Sequence, residues 1–533
     1  MTALAASSPS RATNPWLIAM IVVVPTFMEV LDTTIAIVAL RHIAGGLSAT
    51  VDDGEWVLTS YLAANAIILP ITGWLSAHLG RRTYFLLSIG VFTLASGLCG
   101  IATDLNQLIY FRLLQGLAGG GLQPCSQGVL LDAFPREKQG VAMTLFGLAA
   151  LTAPVVGPTL GGWITDQYSW RWVFLINVPV GLLALAACYV KLQDPDYLIT
   201  ARLELCKQPF RFDLIGLSLL VMVVVCWEVV LSKGQEWDWL SDPFWRVQTL
   251  MILFGAGLIG LIFWELHHPS PVVNLRPLGE RNFASCCMIV FLAFAVLYGA
   301  STSLPGLLQS LFGYDALRAG LVMSPAGVSS LLAMPAIGLM LGRGTDARWL
   351  LATGLLLMTA GNYWMSQMNL DTSPGQLVLP RVLLVLGLSM CFAPANVAAY
   401  LYIPLELRGA AVGILSLLRN EGGSVGTSMA QTLHERRDQL HTLRLGEYLD
   451  PFNAAVNSFV DQVRALAQPQ IGDPVALQQL AWQAVENLRQ QQASALSYFD
   501  CFWIFAMVTL VLAFVTPLMK RSVAEKGTHV GGE

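Results

Sequence analysis

Charge is scarce in this sequence: Asp, Glu, Lys and Arg make up 12% of its 533 residues, against 55% hydrophobic residues. Too few polar groups remain to cover a water-facing surface, and a mean hydropathy of +0.61 excludes an ordinary soluble domain. The net charge of -4 comes with no basic tract, so nucleic acid is not an expected partner, and there is no acidic tail. No G-x-x-x-x-G-K-[ST] phosphate loop is present, and the His434-Glu435 pair lacks the second His of a zinc-protease helix. The nine cysteines contain no C-x-x-C spacing, and the longest polar loop has none of them, so neither a metal site nor disulfides are expected. No nucleophile and base constellation stands out. The reading is therefore not an enzyme, with no metal and no cofactor.

What the chain holds instead is about fourteen apolar runs, each near the roughly 20 residues that cross a bilayer core, joined by short loops. They lie near 16–40, 55–77, 83–102, 106–131, 140–164, 172–190, 214–232, 247–265, 284–308, 319–341, 349–367, 379–402, 410–431 and 498–518. This predicts an all-α, multi-pass membrane protein. The first run lacks a signal-peptidase pattern and is too long for a signal core, so it is expected to remain as a span. Lys and Arg collect in alternate loops: Arg81 and Arg82, Arg136 and Lys138, Lys191 to Arg211, Arg276 and Arg281, Arg343 and Arg348, Arg408, and Lys520 and Arg521. The opposite loops include Asp52, Asp53 and Glu55. The positive-inside tendency makes the first set cytoplasmic, with both termini.

Two soluble segments interrupt the pattern: a cytoplasmic linker, Lys191 to Asp213, and an extracytoplasmic insertion of 64 residues, His434 to Ser497. In the insertion, Asp450-Pro451 and Asp473-Pro474 each read as an N-cap followed by Pro at the first helical position. Phe452, Val456, Phe459, Val460 and Val463, then Leu477, Leu480, Ala484, Val485 and Leu488, have helical spacing. A docking element for a periplasmic partner and a cap packing on its own mouth are equally good readings.

Ionisable residues inside spans are costly and so point to chemistry. Glu29 and Asp32, three apart on the first span, share a helical face, and such a carboxylate pair does not readily hold two negative charges. One of them is expected to load and release a proton; a polar contact to a neighbouring helix is the alternative. Arg112 on the fourth span can reach another helix's carboxylate, as a coupling group or a structural ion pair. On the thirteenth span Arg419 and Glu421 are two apart, nearly opposite, and each needs a partner from elsewhere; Asn420 lies between them. Glu228 in the seventh span and Arg381 early in the twelfth complete the set. No histidine falls inside a predicted span. Proton handling must then rest on carboxylates, with Gln115, Gln123, Asn420 and Glu228 as candidate cavity residues. In the fifth span Ala149, Ala153, Gly157 and Gly161 recur every fourth residue, a flat face for close helix packing, while Pro154 and Pro158 bend it.

Several words in the sequence occur in a known order. Gly73-Trp74-Leu75-Ser76-Ala77-His78-Leu79-Gly80-Arg81-Arg82, Arg112-Leu113-Leu114-Gln115-Gly116, Gly157-Pro158-Thr159-Leu160-Gly161-Gly162 and Trp170 to Pro179 resemble the loop 2-3, fourth-span, antiporter and sixth-span motifs of the major facilitator superfamily. Leu31-Asp32-Thr33-Thr34-Ile35-Ala36 resembles the first-span motif of its fourteen-span drug:proton antiporters, the EmrB/QacA family. The usual loop 2-3 acid is Ala77 here, with His78 after it, and Ile37 and Arg41 stand where the first-span motif has Asn and Pro.

The resemblance implies a major facilitator fold of two six-helix bundles, 16–190 and 284–518, with an inserted helix pair at 214–265, a linker at 191–213, the insertion at 434–497, and cytoplasmic tails at 1–15 and 519–533. It also implies proton-coupled export of amphipathic or aromatic compounds by alternating access. Asp32, Glu29, Arg112, Glu421 and Arg419 would serve coupling; Ala153, Pro154, Gly157, Pro158, Gly161 and Gly162 gating; and Gly73, Gly80, Arg81 and Arg82 the loop 2-3 motif. The large loop before the last span looks most like that of pumps of a bacterial inner membrane, which work with a periplasmic adaptor (a membrane fusion protein) and an outer-membrane channel. A metabolite uniporter or symporter would share the fold.

Overall fold

The computed structural model describes residues 14–135, 138–206, 213–268, 271–450, 452–469 and 471–523. Arg136, Pro451, the linker positions 207–212 and both chain ends lie outside them. Among the described residues the protein is all helical, with nineteen α-helices: α1 Pro15–Gly46, α2 Val51–Gly54, α3 Trp56–Leu79, α4 Arg81–Ile101, α5 Leu105–Gly119, α6 Leu122–Ala133, α7 Gln139–Gln167, α8 Trp172–Leu175, α9 Asn177–Lys191, α10 Asp196–Cys206, α11 Leu214–Lys233, α12 Arg246–His267, α13 Arg281–Ser310, α14 Ala316–Gly342, α15 Ala347–Ser366, α16 Pro374–Tyr400, α17 Arg408–Gly446, α18 Ala454–Ala467 and α19 Pro474–Val515. Helix lies in each of the fourteen predicted intervals. Ten helices are long and apolar enough on their own to cross a bilayer, and an eleventh qualifies if bent α7 counts as one span.

Local chemistry sets many of the starts. Asn14, Asp104, Asp213, Asp315, Asp346 and Asp473 each accept a backbone N–H of their helix's first turn. Ser373 and Gln376 form a reciprocal capping box ahead of α16. The predicted fourth span is broken into α5 and α6 where its glycines let it press on α3 and α4. A Cβ on Gly120 would lie 2.6 Å from the Asn65 carbonyl oxygen, and one on Gly121 would enter the Tyr84 hydroxyl. The two halves of α7, Val141–Pro154 and Thr159–Gln167, meet at 44°.

The first and last described residues lie on one face of the bundle: Trp16 packs edge-on against Phe134, Tyr400 reaches Gln127, and Tyr402 holds the Arg521 carbonyl. On the opposite face the predicted insertion takes an unexpected form. It is not a separate loop, because α17 runs unbroken through His434 to Gly446 and α19 leads unbroken into the last span. At 1.5 Å per residue the 42-residue α19 is about 63 Å long, roughly twice the hydrocarbon thickness. The Asp473-Pro474 start stands as read. The first start does not: α18 is capped by Asn453, and Asp450 holds the turn before it by accepting from Phe452 N. Val456, Phe459, Val460 and Val463 of the α18 segment pack with Ala481 and Val485 of α19, whereas Phe452 is 93% exposed.

Candidate functional site

The site is built where α1 crosses α3, α5, α6 and α9. Helices α8 and α9 break at Ile176, so Asn177 opens α9 and turns its side chain toward α1. There Asp32 is fully buried. Its Oδ2 accepts from Arg112 Nη1 at 2.6 Å, and its Oδ1 from Asn177 Nδ2 at 2.6 Å and Gln115 Nε2 at 3.0 Å. Arg112, also fully buried, donates from Nε to the Val57 carbonyl at 3.2 Å and lies 4.1 Å over the Tyr61 ring. Asn177 in turn donates to Ser96 Oγ, which donates to the Phe174 carbonyl. Both oxygens of this carboxylate are thus held by donors from other helices.

Glu29 belongs to a different cluster, which corrects the expectation of a Glu29–Asp32 carboxylate pair. It accepts from Tyr61 Oη, Asn65 Nδ2 at 3.1 Å and Gln123 Nε2, and Gln123 Oε1 accepts from Arg419 on α17. One helical face is wide enough for residues three apart to meet different neighbours, and each carboxylate has its own cation instead of sharing a proton with the other. Arg419 sits among the rings of Phe146, Phe294 and Phe392, at 5.6, 5.9 and 5.8 Å. Gln115 is also corrected: it points with Arg112 into the Asp32 network and is not in the lining of the central cavity or of the larger space beside it.

Glu29, Gln123, Arg419 and Asn420 line a central cavity of about 70 Å³. It shares Thr33, Ile37, Leu62, Ser424 and Thr427 with a larger space of about 380 Å³ that reaches Glu55, Gln431 and His434 on the extension face. Glu228 borders this larger space; its Oε1 accepts from Ser424 Oγ at 3.1 Å, and Glu421 lies against it and Trp227. The face that carries Trp16 and Arg521 is closed. A Cβ on Gly73 would stand 3.0 Å from the Gly409 carbonyl carbon, and Gln127 bonds Asn396 and Tyr400 across the halves.

The glycine motifs fit this arrangement. Thr34 packs where a Gly157 Cβ would be, and a Gly161 Cβ would meet Ile35 at 3.1 Å, so the small face of α7 is pressed on α1 two residues from Asp32. Ala153 and Pro154 are buried there, Gly162 is buried beside them, and Pro158 follows in the same helix. At loop 2-3, Gly80 takes φ +87°, Arg81 pairs with Asp132, and Arg82 reaches the Tyr189 carbonyl at 2.8 Å while its backbone N–H is held by Asp194. His78 stacks on Trp74. Sequence reasoning missed Asn65, Tyr61 and Asn177. The signal was there, in polar side chains placed inside apolar runs.

A helical bundle with a central cavity and a fully buried ion pair has the form of a membrane transporter. The sequence profile of the Major Facilitator Superfamily matches residues 22–427, and the chain belongs to that superfamily. It is 36% identical over 492 residues to the multidrug export protein EmrB of Haemophilus influenzae, covering 92% of each chain. To the Escherichia coli K12 protein of the same name it is 34% identical over 490 residues, covering 91% of this chain and 92% of that one. A solved structure of the proton:xylose symporter XylE matches 96% of this chain and 97% of its own at TM-score 0.59 and 12% identity, a likeness of fold alone.

Proposed function

We propose that this multi-pass multidrug efflux transporter exports amphipathic, mostly aromatic compounds in exchange for protons, by alternating access about the central cavity. The observation that carries it is the Asp32–Arg112 pair, fully buried beside a second carboxylate, Glu29, that opens on the cavity. A proton arriving at either carboxylate weakens its hold on a neighbouring helix, and α1 is the helix on which the gating face of α7 rests. Glu421 and Glu228, which lie against each other with no cation in contact among the described residues, are a second place where a proton can be taken up. One proton crossing 100 mV supplies about 2.3 kcal/mol, enough for a concentration ratio near fifty.

In this reading the chain has fourteen spans, its ends are in the cytoplasm of a bacterial cell, and the cavity opens to the periplasm. The helix pair α11 and α12 stands between two six-helix bundles. The α17–α19 extension projects toward a periplasmic adaptor and outer-membrane channel, presenting exposed Leu443, Tyr448, Phe452 and Leu466.

The test is flux in liposomes with an imposed pH gradient. Ethidium should move opposite to the proton, and the movement should stop when the gradient is collapsed. Substrate moving with the proton would make the protein a symporter and overturn the proposal. Replacing Asp450 to Arg489 by a flexible linker should preserve this flux yet abolish resistance in cells; full resistance with the linker would remove the extension from adaptor docking.

A further inference from the structure

Among the described residues three arginines are buried within the spans. Arg112 faces Asp32, and Arg419 reaches Glu29 through Gln123. Arg381, on α16, has no such counterpart. It is 1% exposed, its Nη2 donates to Ser301 Oγ at 2.6 Å, and its Nε and Nη1 have no partner among the described residues. No acidic side chain among them acts on it. A guanidinium without a counter-charge in so dry a place is expensive, and its fork of N–H groups matches a carboxylate.

Ser301, on α13, connects this cation to open space. Its hydroxyl oxygen accepts from Arg381, and no acceptor for its own proton lies among the described residues. The same residue lines a cavity of about 200 Å³ between α1, α7, α13 and α14, whose walls include Ile37, Val38, Pro154, Pro305 and Met323. The lining also holds Tyr298, Gln309, Thr34 and Thr302, the last two with hydroxyls that donate to backbone carbonyls of their own helices, so Ser301 is the polar point of a mainly apolar wall that a buried cation backs, which suits an apolar molecule with a negative end.

We propose that Ser301 and Arg381 recognise the carboxylate of an apolar organic acid, the Ser301 hydroxyl donating to the anion while the Arg381 guanidinium supplies the opposing charge. The inference rests on the exporter reading and names one class among its substrates. It leaves Asp32, Glu29 and Arg112 to handle protons, and it gives Arg381 the counter-ion that the protein itself omits.

The purified protein in detergent micelles is titrated at pH 7 with 2-naphthoate, its methyl ester and ethidium, by tryptophan fluorescence. Arg381→Leu should raise the naphthoate Kd roughly ten- to a hundredfold, the loss of the opposing charge behind the Ser301 donor, and leave the ester unchanged. Ser301→Ala should weaken naphthoate selectively by several-fold, and Arg381→Lys should retain part of the affinity. An unchanged naphthoate-to-ester ratio in Arg381→Leu and Ser301→Ala overturns the proposal; where the Leu variant fails to fold, the same ratio in Arg381→Lys and Ser301→Ala decides. Wild type that binds ester and ethidium but not naphthoate overturns this inference alone. Wild type that binds none of the three overturns the exporter reading with it.

Discussion

Asp32→Asn is the sharpest perturbation, because all three side chains that meet Asp32 are donors. An Asn offers one acceptor and one donor in their place. If its oxygen keeps Gln115 and Asn177, its NH₂ faces the Arg112 guanidinium; flipped, it faces the other two. Arg112 then keeps its charge with only the Val57 carbonyl and Gln115 Oε1 to receive it. Removing one partner of a buried pair costs about 3–5 kcal/mol, much of it the stranded charge. Asp32→Asn should therefore be both inactive in proton-driven efflux and destabilised on that scale. Arg112→Gln added to it should recover part of the loss, since the stranded cation is gone, giving a coupling energy of about 1–3 kcal/mol in the cycle. Denaturant unfolding of the four proteins in mixed micelles, followed by tryptophan fluorescence, measures this. A single variant as stable as wild type and still active would refute the reasoning, as would a double variant as unstable as the sum of the singles.

Arg112→Lys keeps the charge but cannot serve the Val57 carbonyl, Gln115 and Asp32 together, so vesicle transport should fall at least about tenfold, a loss of about one to two kcal/mol of hydrogen bonding; a fully active Lys variant in the same flux assay would show that charge alone suffices. Gly157→Val, whose Cβ would enter Thr34, should separate α7 from α1 and lower the melting temperature as well as efflux, whereas Gly375→Ala, with nothing near its Cβ, should change neither. In the loop between α11 and α12, the Arg246 guanidinium, against the effect of burial and aided by three backbone N–H groups, holds the Asp242 carboxyl down at about 2. A depressed carboxyl contributes stability that is fully present above its unfolded value and is lost as pH falls through about 2. Amide exchange at residues 244–249 should thus stay equally protected, after correction for intrinsic rates, from about pH 7 to about pH 5, and Asp242→Asn should raise exchange across that whole range.

Spacing and composition determined a good deal by themselves. The apolar runs located the helices, because each crossing must satisfy its backbone internally and be apolar over a fixed length. The opposite placement of Arg419 and Glu421 on one helix already required partners from other elements, and they meet different ones: Gln123 for Arg419, Glu228 for Glu421. The Asp473-Pro474 start was legible for the same local reason that every cap is, since its hydrogen bond closes within a few residues. Which residues would meet was another matter. Glu29 and Asp32 share a face in sequence, yet α3 and α6 claim one while α5 and α9 claim the other. Gln115 reads as a cavity residue and is consumed by Asp32, and Arg381 reads as one more intramembrane charge until Ser301 and the space behind it are in place. Helical period fixes where a side chain points around its own axis. The partner it reaches depends on which helix the bundle sets opposite, and that is decided by contacts separated by a hundred residues or more, such as Gly157 on Thr34 and Asn177 on Asp32.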